Sequence, residues 1–179
     1  MVATKRISIE EFVTLTRDGL WELVDGEPVA VTPSSDRSGW VSGRIFSRLE
    51  RFVDVNNLGW AFPAETGFIL FEDRATVRSP DAAFVRRDRL SELTDRFVPL
   101  APDLVVEVLS PSDRMADALG KITMYLQAGV RLVWLVDPLE RTVTLFRPDA
   151  ALKLLAEGDV LDGGDVLPGF SVPVADIFA

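Results

Sequence analysis

Hydrophobic positions along the chain follow two rhythms. Between residues 38 and 56, Val41, Ile45, Leu49, Phe52 and Val53 recur at helical spacing with Arg44, Arg48 and Arg51 between them, which predicts a long amphipathic helix stopped by Gly59. A second helix is predicted from a Ser112 cap through Gln127, with Met115, Leu119, Ile122 and Leu126 as its apolar stripe and Gly129 as its end. A short helix opens the chain, where Ser8 and Glu11 spell a capping box ahead of Phe12 and Leu15. Period-two and continuous apolar runs predict strands at 21–24 and 27–31 around an Asp25-Gly26 turn, and then at 60–65, 66–71 and 76–87. Further strands are predicted at 104–109, 130–136 and 142–146, with short strands and a helical turn toward the C-terminus. Hairpins mixed with one strand-helix-strand crossover predict an α/β (α+β) fold, a mixed central sheet flanked by helices. No repeat or polar linker interrupts the pattern, so residues 1–179 are expected to form one domain.

Composition narrows the chemistry. The chain has no Cys and no His, which excludes disulfide scaffolds, zinc fingers, thiol and Ser-His-Asp hydrolases and histidine bases. Catalysis must run on carboxylates, Lys, Arg, Ser, Thr or the single Tyr. The net charge of −9 argues against general nucleic-acid coating but leaves room for a local basic cleft. No apolar run approaches membrane-spanning length and the first residues are charged, so a cytoplasmic protein is expected. Lysine occurs only at Lys5, Lys121 and Lys153, which singles out the mid-chain Lys121.

Glu107 is the most informative position. It interrupts LVVEVL, a run that otherwise reads as a buried central strand, and an ionised carboxylate there must be paired or bound to a cation. A buried ion pair with an arginine would satisfy it. So would a divalent cation shared with Asp81, which lies among apolar residues in SPDAAFV on a second predicted strand. The chain rises about 10 Å from Glu107 to Ser110 and returns about 13 Å along the helix from Ser112, which brings Lys121 back to the level of Glu107. Lys121 falls at the border of the apolar stripe, and a solvated surface lysine is the alternative. Tyr125 lies one turn on along the same border, as a core flank or a hydrogen-bonding neighbour. Glu22, Glu27 and Glu65 are of the kind most often found exposed.

Several strings now combine: WELVDGEPV, SPDAAFV, APDLVVEVLSPSDR, KITMY and GVRLVWLVDP. In this order the chain resembles the Uma-two family of restriction-endonuclease-like proteins, a branch of the PD-(D/E)XK nuclease superfamily, from about residue 7 to 178. The resemblance implies a restriction-endonuclease-like core with added N- and C-terminal hairpins, and a DNA endonuclease dependent on Mg²⁺ or Mn²⁺. It assigns Asp81 and Glu107 as metal ligands, together with the backbone carbonyl of Val108. The superfamily lysine usually follows the second acid by two residues, where this chain has Leu109, and the family's pattern moves it to Lys121. Glu22 and Glu27 match the N-terminal motif as outer members, joined by Glu65 and Tyr125 as candidates. Family members often carry a histidine where this chain has Ser38.

Arg44, Arg48 and Arg51, and a second cluster of Arg86, Arg87 and Arg89, are candidate DNA contacts, with solvated charge beside acids as the alternative. Cutting both strands of a duplex favours a two-fold homodimer, for which Trp40 and Trp60 are candidate contacts, with core packing the alternative for each. A catalytically silent nuclease-fold binding module and a purely structural sheet domain are the competing functions.

Overall fold

Local signals near the N-terminus are realised atom by atom. A computed structural model describes residues 6–15 and 19–179. Ser8 Oγ accepts the Glu11 N–H at 3.1 Å and Glu11 Oε2 accepts the Ser8 N–H at 2.9 Å, starting α1 (Ile9–Thr14), which buries Ile9 and Phe12 and leaves Leu15 exposed. Asp25 and Gly26 both have positive φ (49° and 79°), the pattern that a two-residue hairpin turn demands and that the Asp-Gly pair predicts. The hairpin comprises β1 (Leu20–Val24) and β2 (Glu27–Val31).

The long helix, α2 (Asp36–Val55), begins two residues before its predicted start because Ser35 caps it, accepting the Ser38 N–H at 3.2 Å. Next come β3 (Gly59–Pro63), β4 (Phe68–Phe71), β5 (Thr76–Arg78) and β6 (Ala82–Arg86). The continuous strand predicted over 76–87 is in fact two, because Pro80 offers no N–H to a ladder and the chain changes sheet at Ser79-Pro80-Asp81. Asp81 therefore stands just ahead of β6 rather than within a strand.

The central sheet has six strands in the order β10-β9-β8-β7-β6-β3, built from β7 (Leu104–Val108), β8 (Leu132–Asp137), β9 (Thr142–Phe146) and β10 (Lys153–Leu155) with β6 and β3. Only β7 and β8 are parallel, joined by the predicted crossover through α3 (Met115–Gln127). A second sheet, β2-β1-β5-β4, lies beside it, and β11 (Val160–Gly163) pairs with β12 (Leu167–Pro173) before α4 (Val174–Phe178). This is a mixed α+β fold about a mixed central sheet.

Alternation along β7 sends Leu104, Val106 and Val108 into a core with α2 and the C-terminal segment, and Val105 into a core with Ile122 and Tyr125 of α3. Glu107 shares the α3 side. The helix turns to the sheet a face that keeps Ile122 and Leu126 of the predicted stripe, adds Tyr125 and leaves out its first half. Met115 and Leu119 are half-exposed, Arg114 rather than Ser112 occupies the cap position, and Ile122 and Tyr125 are buried. Gly129 (φ 95°) closes α3 as predicted, with the Val130 N–H reaching the Tyr125 carbonyl at 3.0 Å and the Gly129 N–H reaching Leu126 at 3.1 Å.

Candidate active site

In the antiparallel register of β6 and β7, Ala82 faces Val106, so one step further Asp81 stands across from Glu107 on the same side of the sheet. Three elements fix these acids. Asp81 Oδ2 accepts the Val108 N–H at 2.7 Å, and its carbonyl accepts the Ser42 hydroxyl of α2 at 3.3 Å. Glu107 receives the Tyr125 hydroxyl on Oε1 at 2.6 Å and Lys121 Nζ on Oε2 at 3.2 Å, from residues one turn apart on α3. The sequence arithmetic that brings Lys121 level with Glu107 matches this geometry, and Tyr125 is both a core residue and a hydrogen-bonding neighbour.

Behind Asp81, buried Glu22 on β1 accepts Arg78 Nη1 at 2.6 Å on Oε2 and the Ser79 N–H at 2.9 Å on Oε1. These bonds clamp the segment that turns the chain from β5 into Asp81.

Burial and the facing Glu107 raise the Asp81 carboxyl to about 7, against the pull of the Val108 N–H and Lys121. Burial works against the Lys121 charge, yet Glu107 and Glu22 prevail and its ammonium titrates above the ordinary lysine value. Burial and Glu107 push the Tyr125 hydroxyl well above the usual tyrosine range, so it remains a donor.

A cleft of about 150 Å³ opens on the cluster, lined by Glu107, Val108, Asp113, Lys121 and neighbours. Among the described residues no three His, Cys, Asp or Glu side chains converge on one point. Two facing carboxylates beside the backbone of β7 nevertheless suit Mg²⁺, which takes one or two protein carboxylates and keeps several waters.

The other candidates lie elsewhere. Glu27 is exposed on β2, 3.9 Å from Arg6. Glu65 is exposed in a positive-φ turn (73°) and lines a separate cleft with Phe12, Trp21 and Phe97. Arg86 pairs with Asp88, Arg89 pairs with Asp103, and Arg87 lies over the Trp60 ring, all toward the end of β6 farthest from Asp81. Arg44 and Arg48 reach the Asp176 carbonyl at 2.9 and 3.0 Å, and Arg51 is exposed further along α2. Ser38, at the position of the family histidine, is buried and donates to the Leu109 carbonyl at 2.9 Å, just past β7. Trp60 is half-buried and donates to the Leu90 carbonyl at 2.9 Å, whereas Trp40 is 61% exposed, so core packing does not hold for it.

Sequence reasoning overlooks Arg78 and Asp113. Arg78 neutralises Glu22, and the available signal was a buried acid on β1 in need of a cation. Asp113 helps to raise the Asp81 carboxyl from the loop ahead of α3. A second overlooked acid, buried Asp103, is structural, since it accepts the Arg86 N–H at 2.9 Å at the other end of β7.

The fold is a mixed α+β sheet that brings two facing acids and a lysine together beside a cleft. Residues 9–175 match the family model Uma2, described as "Putative restriction endonuclease", and the chain belongs to that family. Its fold is similar to the crystal structure of "a putative nuclease belonging to DUF820" from Anabaena variabilis ATCC 29413, with a TM-score of 0.81 at 20% identity over 96% of this chain and 97% of the other. No curated protein matches the chain. Family and fold together point to nuclease activity. No helix among the described residues is long and apolar enough to cross a membrane.

Proposed function

We propose that the chain is a divalent-metal-dependent endodeoxyribonuclease in which Asp81, Glu107 and the Val108 carbonyl hold Mg²⁺, with Mn²⁺ as a substitute. The observation that carries this reading is Asp81 across the β6–β7 ladder from Glu107, with Lys121 and Tyr125 both bonded to Glu107. When bound, the cation supplies Lewis-acid polarisation and a more acidic water. Tyr125 holds Glu107 in one rotamer. The protonated Lys121 is a donor, suited to orienting the attacking water and offsetting the negative charge that builds on the phosphate. Asp81 and Glu107 are the groups able to accept the water's proton. Glu22 and Arg78 act through Asp81 by fixing the segment that delivers it.

The whole chain is read as one nuclease-like domain acting on DNA in the cytoplasm, and as a homodimer where both strands are cut. A catalytically silent binding module is the second reading, favoured by Ser38 in place of the family histidine and by the net charge of −9. Supercoiled plasmid incubated with rising Mg²⁺ separates the two. Cleavage by the wild type and its loss in Glu107→Gln support the enzyme; an inert wild type at every Mg²⁺ and Mn²⁺ concentration supports the binder.

A further inference from the structure

Five residues on the outer side of α2, Arg37, Trp40, Arg44, Arg48 and Arg51, follow one another at spacings of three, four, four and three. Such spacing draws a single stripe about 21 Å long. Ser38 and Ser42, on the inner side, tie the same helix to the Leu109 and Asp81 carbonyls, so the stripe has a fixed position relative to the acids. None of the four arginines pairs with a carboxylate among the described residues. Arg44 and Arg48 instead donate to the backbone carbonyl of Asp176, and Arg48 also to that of Arg44, which fixes their guanidinium groups. Asp36 is the only acid in the first three turns of α2, although the chain as a whole carries −9.

Trp40 stands exposed in this stripe, its ring beneath the Arg44 guanidinium at 5.6 Å. Beside it opens a groove of about 590 Å³ shared with Pro138, Leu139, Arg141 and Phe178. Gly39 and Gly43 flank the stripe, and a Cβ at either would meet nothing within 4 Å. Two glycines inside a helix cost about 1 kcal/mol each, and here they leave the backbone of α2 open beside the stripe.

We propose that this stripe, on the face of the central sheet opposite Glu107, is the track of a single nucleic-acid strand, with Trp40 stacking on an unpaired base and the arginines meeting phosphates, an inference that rests on the nuclease reading. A basic row interrupted by an exposed aromatic ring is the pattern of single-strand binding, in which every base offers a face to stack on. A second copy of this chain is the poorer occupant, because a two-fold contact would set the arginine row against itself.

Binding of a labelled oligothymidine is measured in metal-free buffer across a salt series, by anisotropy and by tryptophan quenching. Plasmid cleavage, sedimentation and melting are recorded on the same proteins. Trp40→Ala should weaken binding by about 10-fold without changing the melting temperature, and Trp40→Phe should restore most of it. Arg37→Gln with Arg51→Gln should reduce the log–log salt slope by about 1.4. Equal binding by Trp40→Ala overturns the inference while plasmid cleavage keeps the nuclease reading. Cleavage by a wild type that binds no oligonucleotide has the same meaning, whereas neither binding nor cleavage removes both. A dimer lost in Trp40→Ala with unchanged oligonucleotide binding also overturns it and makes the stripe a self-interface.

Discussion

Fully buried Tyr125 donates at 2.6 Å to one oxygen of Glu107 while Lys121 holds the other at 3.2 Å, so two donors from a single helix set that carboxylate's direction. Tyr125→Phe keeps the ring in the core and removes one donor. It should cost about 1–2 kcal/mol in chemical denaturation and about 10-fold or more in Mg²⁺-dependent cleavage, as loss of a ligand's supporting bond does. Full activity in the phenylalanine variant would show that Glu107 needs no such support.

Asp81 ties stability to pH with a definite sign. Its carboxyl titrates near 3.8 in the unfolded chain and near 7 in the metal-free fold, so between these values the folded state binds more protons and stability falls as pH rises. Asp81→Asn keeps an oxygen for the Val108 N–H and cannot ionise. Compared with wild type without metal, it should unfold nearly alike at pH 4 and be more stable by about 4 kcal/mol at pH 8. Parallel stability curves for the two proteins would contradict the raised carboxyl.

The two acids should differ in what their removal does to the fold. Glu107→Ala strands a buried tyrosine hydroxyl and a partly buried ammonium, and breaking such a group typically costs about 3–5 kcal/mol. In metal-free buffer at neutral pH, melting curves should show a large loss for Glu107→Ala, a smaller one for Glu107→Gln and a gain for Asp81→Asn, although all three lose cleavage.

Glu22→Ala leaves Arg78 buried without its counter-ion and frees the Ser79 N–H. A destabilisation of about 3–5 kcal/mol is expected. Glu22→Gln retains acceptor capacity for Ser79 and should fold, yet cleave more slowly because the segment delivering Asp81 is less firmly held. Wild-type rates in a folded Glu22→Gln protein would separate the clamp from the site.

Glu107 was legible because an acid within LVVEV has no solvent to face, and Lys121 because strand and helix rises bring it back to that level. The family pattern singled out Asp81, but the sequence hid its position, since TVRSPDAAFV reads as one strand until Pro80 is seen moving the chain to another sheet. The predicted stripe on α3 holds at Ile122 and Leu126 and fails at Met115 and Leu119 for a chemical reason. The buried face is chosen partly by Lys121 and Tyr125 reaching Glu107, so Met115 and Leu119 are left outside although they are more apolar. Arg78 was not legible, because an arginine in TVR looks like an exposed strand residue until Glu22 is found opposite it.

Whether Asp81 and Glu107 share one divalent cation is read from the Asp81 titration, followed by carboxyl NMR with and without saturating Mg²⁺. The account predicts a midpoint near 7 without metal and a fall well below that on adding Mg²⁺, because the cation replaces repulsion between the acids with attraction. A midpoint that Mg²⁺ leaves unchanged would contradict it.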